Sequence, residues 1–438
     1  MMQNSKDFFF LNRWIMSSVR DHSVYKQEND VLQDRSVERQ IRLLLLIQGM
    51  FAAATALSGT FVHVYLWKVS NDYAMIGWFT LANQISMGLT FWVAGKWVKE
   101  YNKMNCLRLG VAVSAVFYLL VLMLQQRAVD FVWLLGSIQG MGAGFFWLAF
   151  NVVYFEVTSP ETRDKFNALA GFLTSGASML APWISGLLIT RMKDTAGYKV
   201  IFTLSLLIFL IGVISSFFLK KRRTEGRYEW FTAIKNLRKC EDPWRLAFPA
   251  LIAQGVREGV FVFLIGLLVF VATNNEMMVG NYFLITSAVA LITYMLFSRW
   301  LKPHRRSFAM LIGSAMLISV ILPLFWKVNY ATLLIFGIGT AIFMPLYIIP
   351  MTSSVFDIIG RNRLSASRRV EYVVLRELGL NLGRMAGTML FIAVVLWRTD
   401  QVVINVLVLL IGSAPVAAWY FMRKLLAKPK PDPISKAK

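Results

Sequence analysis

Arg257 and Glu258 are adjacent near the middle of an apolar stretch that reads FPALIAQGVREGVFVFLIGLLVF. An arginine in apolar surroundings attracts anions, and a carboxyl group there can hold its proton near neutral pH. Consecutive residues of a helix point about 100° apart, so the two side chains are not expected to pair with each other. The stretch therefore predicts an anion-binding group and a proton-binding group on one helix.

The depth of this pair depends on where its helix begins. If the helix begins near residue 246, Arg257 must face the interior of a helix bundle, because a charge in lipid costs at least about 2.5 kcal/mol. If it begins near Ala253, both side chains lie at the end of the helix, and Pro249 allows a break there. The sequence leaves both alternatives open.

Several other polar residues fall in apolar segments. Each amide among them could contact a ligand or hydrogen-bond to a neighbouring helix, and the second role is favoured. The amide candidates are Gln48, Asn83, Gln139, Asn151 and Gln254. Glu258 is interpreted as the only acid deep in any apolar segment. Arg384 is placed about one turn inside its segment, reaching towards the polar end, and His63 is placed at the membrane interface.

The composition indicates that the apolar segments cross a membrane. Of 438 residues, 57% are hydrophobic and 16% are charged, and the mean hydropathy is +0.56. A soluble domain carries about a quarter charged residues. The net charge of +22 lies in short clusters between apolar runs, as in the cytoplasmic loops of membrane proteins. We therefore expect membrane lipids as partners and no nucleic acid.

Twelve apolar segments are long enough to span a bilayer, which takes about 20 residues each. The first six are 43–67, 74–98, 107–124, 131–157, 168–190 and 200–219, and the second six are 246–271, 278–297, 308–326, 331–358, 378–397 and 402–422. The predicted fold is an all-α polytopic membrane protein made of two six-helix repeats. Its predicted parts are an N-terminal arm (1–42), a first half (43–219), a central loop (220–245), a second half (246–422) and a tail (423–438).

The basic residues predict the orientation. Most of the 46 Lys and Arg residues fall in the terminal segments and in the loops on the same side. Because cytoplasmic loops are rich in these residues, both termini are predicted to be cytoplasmic, in a cell membrane. Cys106 and Cys240 fall on that side too, so no disulfide is expected. The two cysteines and three scattered histidines show no metal-ligand spacing, and neither a metal nor a cofactor is expected.

The two halves repeat one another in sequence. NDYAMIGWFTL, which begins at Asn71, aligns with NNEMMVGNYFL, which begins at Asn274, and Gly77 aligns with Gly280. Gln48 and Gly49 of the first segment likewise match Gln254 and Gly255 of the seventh. Six-helix repeats related by an axis normal to the membrane place a substrate site between the halves, near the middle of the bilayer.

Twelve segments in a 6+6 arrangement with a basic central loop resemble the major facilitator superfamily. The family motif G-x-x-x-D-R-x-G-R-R lies between its second and third helices, where this chain reads GKWVKEYNK from Gly95 to Lys103. The Asp-Arg pair of the motif is replaced by Lys99 and Glu100, with the charges reversed. In the family the acid caps a helix N-terminus in the other half, which a lysine cannot do. The resemblance makes Lys99 and Glu100 gate candidates.

Two further acid–arginine pairs carry the resemblance. Glu156 and Arg163, at the inner end of the fourth segment, have the spacing found in sugar-type members of the family. Asp357 and Arg361 are their counterparts in the second half. The resemblance implies that such pairs hold the cytoplasmic gate closed.

Small residues in the fifth and eleventh segments predict close helix packing. The fifth segment is similar to the antiporter pattern of the family, with Gly, Ala or Ser at every glycine position and the proline retained. The packing candidates are Ala177, Ala181, Pro182, Gly186, Gly379, Gly383 and Gly387.

The resemblance implies a secondary active transporter that moves a small polar or amphipathic solute by alternating access. Arg257 adds the expectation of an anionic group on this small-molecule substrate, and Glu258 adds that of proton coupling. A flippase for a lipid or lipid-linked sugar and a membrane receptor that has lost transport both stay open. The sequence has no nucleotide-binding loop and no nucleophile–base set, so an enzyme is not expected. A monomer is expected.

Overall fold

The computed structural model describes residues 39–157, 160–192, 195–220, 226–231, 234–235, 237, 242–360 and 368–426. Within these ranges the regular secondary structure is helical and includes no β-strand. We call the side at which the first helix begins the inner side and the opposite side the outer side. Most of the predicted N-terminal arm and tail lies outside the described residues.

The first half contains six long helices. They are α1 (Arg39–Ser70), α2 (Tyr73–Glu100), α3 (Lys103–Leu124), α4 (Val132–Val157), α5 (Pro160–Arg191) and α6 (Ala196–Phe217). A 3-10 helix, Gln125–Phe131, joins α3 to α4. These helices coincide with the six predicted segments to within two residues at the ends that fall short, namely the start of the fourth and the end of the sixth, and the other ends match the prediction or extend beyond it.

Seven α-helices of the second half lie within the described ranges. They are α7 (Trp244–Thr273), α8 (Glu276–Trp300), α9 (Arg306–Ser319), α10 (Tyr330–Gly360), α11 (Arg369–Trp397), α12 (Gln401–Gly412) and α13 (Ala414–Leu426). The twelfth predicted segment is thus broken at Ser413, and Pro415, which has no N–H to donate, is the second residue of α13. The ninth predicted segment likewise ends in a 3-10 helix, Leu322–Phe325, which contains Pro323.

Ten segments of the described chain are long and apolar enough to cross a membrane. One of them, Lys103–Tyr154, includes both α3 and most of α4, and α2 is not among the ten. The protein is therefore an all-helical, multi-pass membrane protein, while the count of twelve spans stays a prediction. The predicted domain boundaries stay predictions as well.

The sequence repeat has a physical basis at the outer ends of the helices. Asn71 follows the last residue of α1 and Asn274 follows that of α7, both with positive φ (51° and 47°), a conformation that asparagine tolerates better than most residues. Asp72 then caps α2 by accepting a hydrogen bond from the backbone N–H of Ala74, and Asn275 caps α8 in the same way. The repeated residues therefore encode the same helix–turn–helix connection in each half.

Helix α11 is longer than predicted, and this moves two charged residues into the interior. The segment was expected to begin at residue 378, but α11 begins at Arg369. Arg384 consequently lies about four turns inside the helix, so the prediction that it reaches the polar end was wrong. Glu377, about two turns inside, is buried too, so Glu258 is not the only embedded acid. The charges of Glu371, Arg376 and Glu377 lower the hydropathy of this stretch, which concealed its helical continuation.

The predicted small-residue faces lie at helix contacts. On α11, Gly379 packs against Leu251 and Phe248 of α7, and a Cβ at Gly387 would collide with the backbone of Val256. Gly383 lies between them, against the carbonyl oxygen of Ile252. On α5, a Cβ at Gly186 would lie 2.6 Å from the carbonyl oxygen of Glu276 on α8. Ala181 is buried, Ala177 is half-buried, and Pro182 faces Gly280 of α8.

Candidate functional site

A cavity of about 820 Å³ lies between the two halves of the protein. Helices α1 to α6 of the first half contribute to its wall, as do α7, α8 and α11 of the second half. The charged residues in the wall are Arg257, Glu258 and Arg384. A cavity bounded by both halves is the arrangement expected for a site at the interface of two repeats.

Arg257 is a buried cation that has no carboxylate partner among the described residues. Only 5% of its surface is exposed, and its Nε and Nη2 atoms have no hydrogen-bond acceptor. Its Nη1 atom donates a weak hydrogen bond to Met344 Sδ at 3.6 Å, and the guanidinium lies 4.4 Å from the ring centroid of Phe261. Because a buried charge without hydrogen-bond partners is costly, this geometry favours an anion that enters the cavity.

Glu258 points to a different neighbour. Its Oε2 atom accepts a hydrogen bond from Arg384 Nη2 at 2.9 Å, and its Oε1 atom accepts one from Gln254 Nε2 at 2.7 Å. Arg384 Nη1 lies 4.0 Å from Glu377 Oε2, and Glu377 also pairs with Arg376. Glu258 is thus one end of a chain of alternating charges that links α7 to α11.

Three arginines and two glutamates make up this group, so its formal charge is positive. Each glutamate has an arginine partner, and the arginine left over is Arg257. Arg384 and Glu377 were not among the residues proposed from the sequence. One signal was available, because they lie seven residues apart in RELGLNLGR and therefore share a helix face.

The amide candidates divide between the cavity and the packing of helices. Asn83 donates to Gln139 Oε1 at 2.8 Å, and both side chains line the cavity. Gln254 holds Glu258 in place. Gln48 is buried with its Oε1 atom unpartnered, and neither Gln48 nor Asn151 belongs to the residues that line the cavity.

Six aromatic side chains belong to the wall contributed by the first half. They are Phe51, Phe79, Phe117, Tyr118, Trp147 and Phe209. His63 also lines the cavity, between the rings of Phe79 and Phe263 at centroid distances of 5.5 and 5.8 Å. The placement of His63 at the membrane interface was therefore wrong. The cavity has an aromatic side and a cationic side.

The gate candidates on α2 face the second half at the inner end of the molecule. Lys99 forms an ion pair with Glu371, and the side chains are only 7% and 2% exposed. Glu371 lies in the first turn of α11, where an acid interacts favourably with the helix dipole. The charge reversal in the motif is therefore matched by an acid on the opposite helix. Glu100 accepts a hydrogen bond from the backbone N–H of Tyr228 in the central loop, at 2.8 Å.

The other gate candidates are less completely described. Asp357 Oδ2 pairs with Arg306 Nη1 of α9 at 2.7 Å. Its predicted partner Arg361 lies outside the described residues. Glu156 and Arg163 belong to α4 and α5, but their side chains also lie outside the described part of the chain.

Comparisons with known sequences identify relatives over most of the chain. A model of the Major Facilitator Superfamily matches residues 44–365. "Uncharacterized protein YqgE" of Bacillus subtilis (strain 168) is 38% identical over 400 residues, which cover 91% of this chain and 93% of the relative. "Uncharacterized protein in sodM 3'region" of Geobacillus stearothermophilus is 40% identical over 199 residues, 45% of this chain and 93% of that protein.

Solved structures share the fold at low sequence identity. A bacterial homologue of the iron transporter ferroportin in an inward-facing state matches with a TM-score of 0.64 and 13% identity, over 89% of this chain and 99% of that chain. The outward-facing state of a bacterial homologue of ferroportin matches with a TM-score of 0.64 and 14% identity, over 89% and 100%. At this identity the likeness concerns the fold alone.

Proposed function

Since this chain belongs to the Major Facilitator Superfamily, a family of transporters, we propose that it moves a polar or amphipathic anion by alternating access. Family membership and the transporter fold of its structural relatives make it a multi-pass membrane transporter rather than an enzyme. Twelve spans, cytoplasmic termini, a cell-membrane location and a monomeric state complete the proposal. Most of the Lys and Arg residues lie on the side of the termini, and this distribution supports the orientation.

The observation that carries the proposal is the unpaired guanidinium of Arg257 in the wall of the cavity. A carboxylate, phosphate or sulfonate group could accept hydrogen bonds from its Nε and Nη2 atoms in a bidentate arrangement. Of the three arginines in this charged group, Arg384 and Arg376 form ion pairs, and Arg257 is available for a ligand in the described structure. An anion would also remove the cost of burying that charge.

Glu258 is the proposed coupling residue. An anion bound at Arg257 would lie next to the Glu258 carboxylate, and their mutual repulsion would weaken binding. Protonation of Glu258 would remove that repulsion and release Arg384 from its ion pair. Proton binding and anion binding would therefore favour each other, as linked equilibria require. The charged groups nearest to Glu258 in this arrangement are Arg257 and Arg384, with Glu377 beyond Arg384.

The similar solved structures are of bacterial homologues of ferroportin, which is an iron transporter. A metal cation is therefore an alternative cargo for this chain. Among the described residues, no three His, Cys, Asp or Glu side chains come together as a metal site. The charged group in the cavity wall is positive, which disfavours a cation there. We therefore base the proposal on Arg257 rather than on the structural likeness.

A thermal-stability screen of the purified protein tests the proposal. Carboxylates, phosphates, sulfonates and their neutral analogues would be added at mildly acidic and neutral pH. We expect anions alone to stabilise the protein, by about 2.7 kcal/mol at a hundredfold excess over Kd. Arg257→Ala should abolish the effect, and Arg257→Lys should keep part of it because the charge remains. Arg398→Ala, at an exposed arginine paired with Asp400, is the matched control.

Each outcome of the screen selects a function. If Arg257→Ala binds every anion as the wild type does, the anion site is elsewhere and the assignment fails. If Glu258→Gln, like the wild type, is stabilised more by anions at mildly acidic pH than at neutral pH, proton coupling does not pass through Glu258. Binding without flux in proteoliposomes would favour the receptor alternative, and net movement of lipid would favour the flippase.

A further inference from the structure

Helices α5 and α8 meet in the outer half of the molecule. A Cβ at Gly280 of α8 would lie 2.9 Å from the carbonyl oxygen of Pro182 on α5, and Gly186 packs equally closely against Glu276. Further inward, Ser287 Oγ donates a hydrogen bond to the carbonyl oxygen of Ser178 at 3.4 Å. From the outer surface to this serine contact, the two halves are joined along this edge.

Inward of the serine contact, the described residues leave open space between the facing surfaces of α5 and α8. Gly171 lies about two turns before Ser178 and therefore on the same face of α5, yet a Cβ there would have no neighbour within 4 Å. Tyr294 lies about two turns after Ser287 on the same face of α8 and is 38% exposed. The two faces that touch in the outer half thus diverge in the inner half.

The gap between these faces is continuous with the cavity. Ser178 and Ser287, at the point where the helices diverge, both belong to the cavity wall. Val262 of α7 lies in the same wall and is 66% exposed. Arg257 and Glu258 line the same cavity, so the point where the helices diverge opens into the space that holds the charged group. A molecule in the gap would therefore have a direct path to Arg257.

The gap opens at the depth of lipid chains. From Ser287 to the end of α8 at Trp300, the helix rises roughly 20 Å, more than one leaflet of an apolar layer about 30 Å thick. Large apolar side chains on both inner halves are exposed, among them Leu169 and Phe172 on α5 and Met295 on α8. The opening therefore faces hydrocarbon as well as water.

The opposite edge of the molecule is closed at the same depth. There α2 and α11 remain in contact from Gly77, which packs against Ile392, through Gly88, which packs against Asn381. The contact ends at the buried Lys99–Glu371 pair. Within the described part of the chain, the α5–α8 edge is therefore the open one of the two, and through it the cavity communicates sideways with the inner leaflet.

We propose that the gap between α5 and α8 is a lateral portal through which an amphipathic anion passes between the inner leaflet and the cavity. Its acidic head group binds Arg257, and its apolar chain lies along the gap and the aromatic wall. This inference rests on the proposed function because it uses the same anion site. It adds the class of substrate, an anion with one acidic head and an apolar chain, and the route that this substrate takes.

Two glycines of α5 provide a matched pair of variants. Gly171 lies on the face that lines the gap, whereas Gly176 points to nearly the opposite side of the helix from Ser178. Both positions have open space for a side chain, so Gly171→Trp and Gly176→Trp should both fold. Only Gly171→Trp places an indole in the portal. Gly171→Leu, with a smaller side chain, should give an intermediate effect.

The assay measures transfer across proteoliposome membranes and binding to the purified protein. The probes are decanesulfonate, which has a permanent negative charge and an apolar chain, methanesulfonate, which has the same head without the chain, and a fluorescent phosphatidylglycerol. We expect the wild type to transfer decanesulfonate and to bind it in preference to methanesulfonate. Gly171→Trp should slow this transfer about tenfold, and Gly176→Trp should leave it unchanged.

The outcomes distinguish the portal from the anion site. Transfer of phosphatidylglycerol with the same dependence on Gly171 identifies the substrate as a membrane phospholipid, and transfer of decanesulfonate alone identifies a free amphipathic acid. The portal is wrong if the two tryptophan variants behave alike, if methanesulfonate is transferred as well as decanesulfonate, or if the wild type transfers neither decanesulfonate nor phosphatidylglycerol. If Arg257→Ala abolishes binding while Gly171→Trp transfers at the wild-type rate, the portal fails and the proposed function stands. If Arg257→Ala binds every probe normally, the proposed function itself fails.

Discussion

Two edges join the halves of this transporter, one between α2 and α11 and the other between α8 and α5. The sequence repeat relates α2 to α8, so Gly77 and Gly280 are equivalent positions. Gly77 packs against Ile392 of α11, and Gly280 packs against Pro182 of α5. The outer ends of both edges are therefore closed by the same device, a glycine that lets the opposing helix approach closely.

The inner ends of the two edges differ. Lys99 on α2 reaches Glu371 on α11 in a buried ion pair. The equivalent of Lys99 in the repeat is Lys302, which follows the end of α8 at Trp300. One edge thus ends in an interhelical ion pair, whereas the helix that would carry its counterpart has already ended. A pseudo-symmetric pair of edges can in this way hold one side fixed while the other opens.

The central loop reinforces the closed edge. The backbone N–H of Glu229 donates to Glu371 Oε1 at 3.3 Å, and the side chain of Glu229 pairs with Arg368 at 3.2 Å. Tyr228 is buried against Gly95 of α2, and Trp230 packs edge-on against Trp92. The segment from Tyr228 to Trp230 therefore lies over the junction of α2 and α11 and contacts both helices.

Breaking the Lys99–Glu371 pair should have the largest effect on stability. Glu371→Gln leaves a buried lysine without its carboxylate, and Lys99→Met leaves the carboxylate without its lysine. Each should lower the free energy of unfolding by about 3–5 kcal/mol, because a buried charge loses its oppositely charged partner. Exchange of the charges, Lys99→Glu with Glu371→Lys, should recover a large part of the loss. Thermal unfolding in detergent of the wild type, the two single variants and the double variant Lys99→Met/Glu371→Gln gives the coupling energy.

Asp357→Asn provides the control for this cycle. Asp357 also forms an inner-side ion pair, but its side chain is 67% exposed, so the loss should stay below about 1 kcal/mol. If Glu371→Gln costs no more than Asp357→Asn, the ion pair does not distinguish the closed edge from the open one.

Filling the outer contact of the other edge should have an intermediate effect. In Gly186→Val the new side chain meets the carbonyl oxygen of Glu276, and the overpacking should cost about 1–3 kcal/mol. Gly171→Val, on the same helix but in the gap, should have a much smaller effect. The measurement is again thermal unfolding. Equal losses in the two variants would mean that α5 and α8 are in contact along their whole length, which would remove the contrast between the edges.

Alkaline pH should report on the loop that covers the closed edge. Burial, with the nearby Glu371 carboxylate adding to it, raises the pKa of Tyr228 above its ordinary value of 10.0. The stability that depends on its neutral form is complete below pH 10 and is lost as the pH rises through the higher pKa of the folded state. The free energy of unfolding of the wild type should fall by up to about 1.4 kcal/mol per pH unit in that range. Tyr228→Phe has no phenol to ionise, so it should not show this fall. The measurement is the free energy of unfolding of both proteins as a function of pH. If the difference between them stays constant above pH 10, Tyr228 is exposed in the folded protein.

Much of the architecture could be predicted from the sequence because it depends on local properties. Hydropathy located the spanning segments, and the repeated asparagines at 71 and 274 marked equivalent helix ends. The glycines at 379, 383 and 387 predicted a close helix contact because they share one face. The errors fell where charge and tertiary structure interact, as at the start of α11, where paired charges resembled a loop.

The candidate site could be predicted only in part. The sequence placed Arg257 and Glu258 on one helix and indicated that they would point in different directions. It did not identify Glu371 as the partner of Lys99, nor Arg384 as the partner of Glu258, because both partners lie on α11 and far away in the chain. No local pattern connects residues so distant in sequence.

The sequence by itself determined that this chain crosses a membrane as helices in two related halves, since apolar composition and helix-end residues act over a few neighbouring positions. The tertiary structure decided which arginine keeps a partner and which edge of the molecule opens. Arg384 and Arg257 are similar in sequence context, but only Arg384 faces a carboxylate once α11 packs against α7. The physical reason is that the energy of a buried charge depends on the groups within a few ångströms of it, and those groups come from other helices.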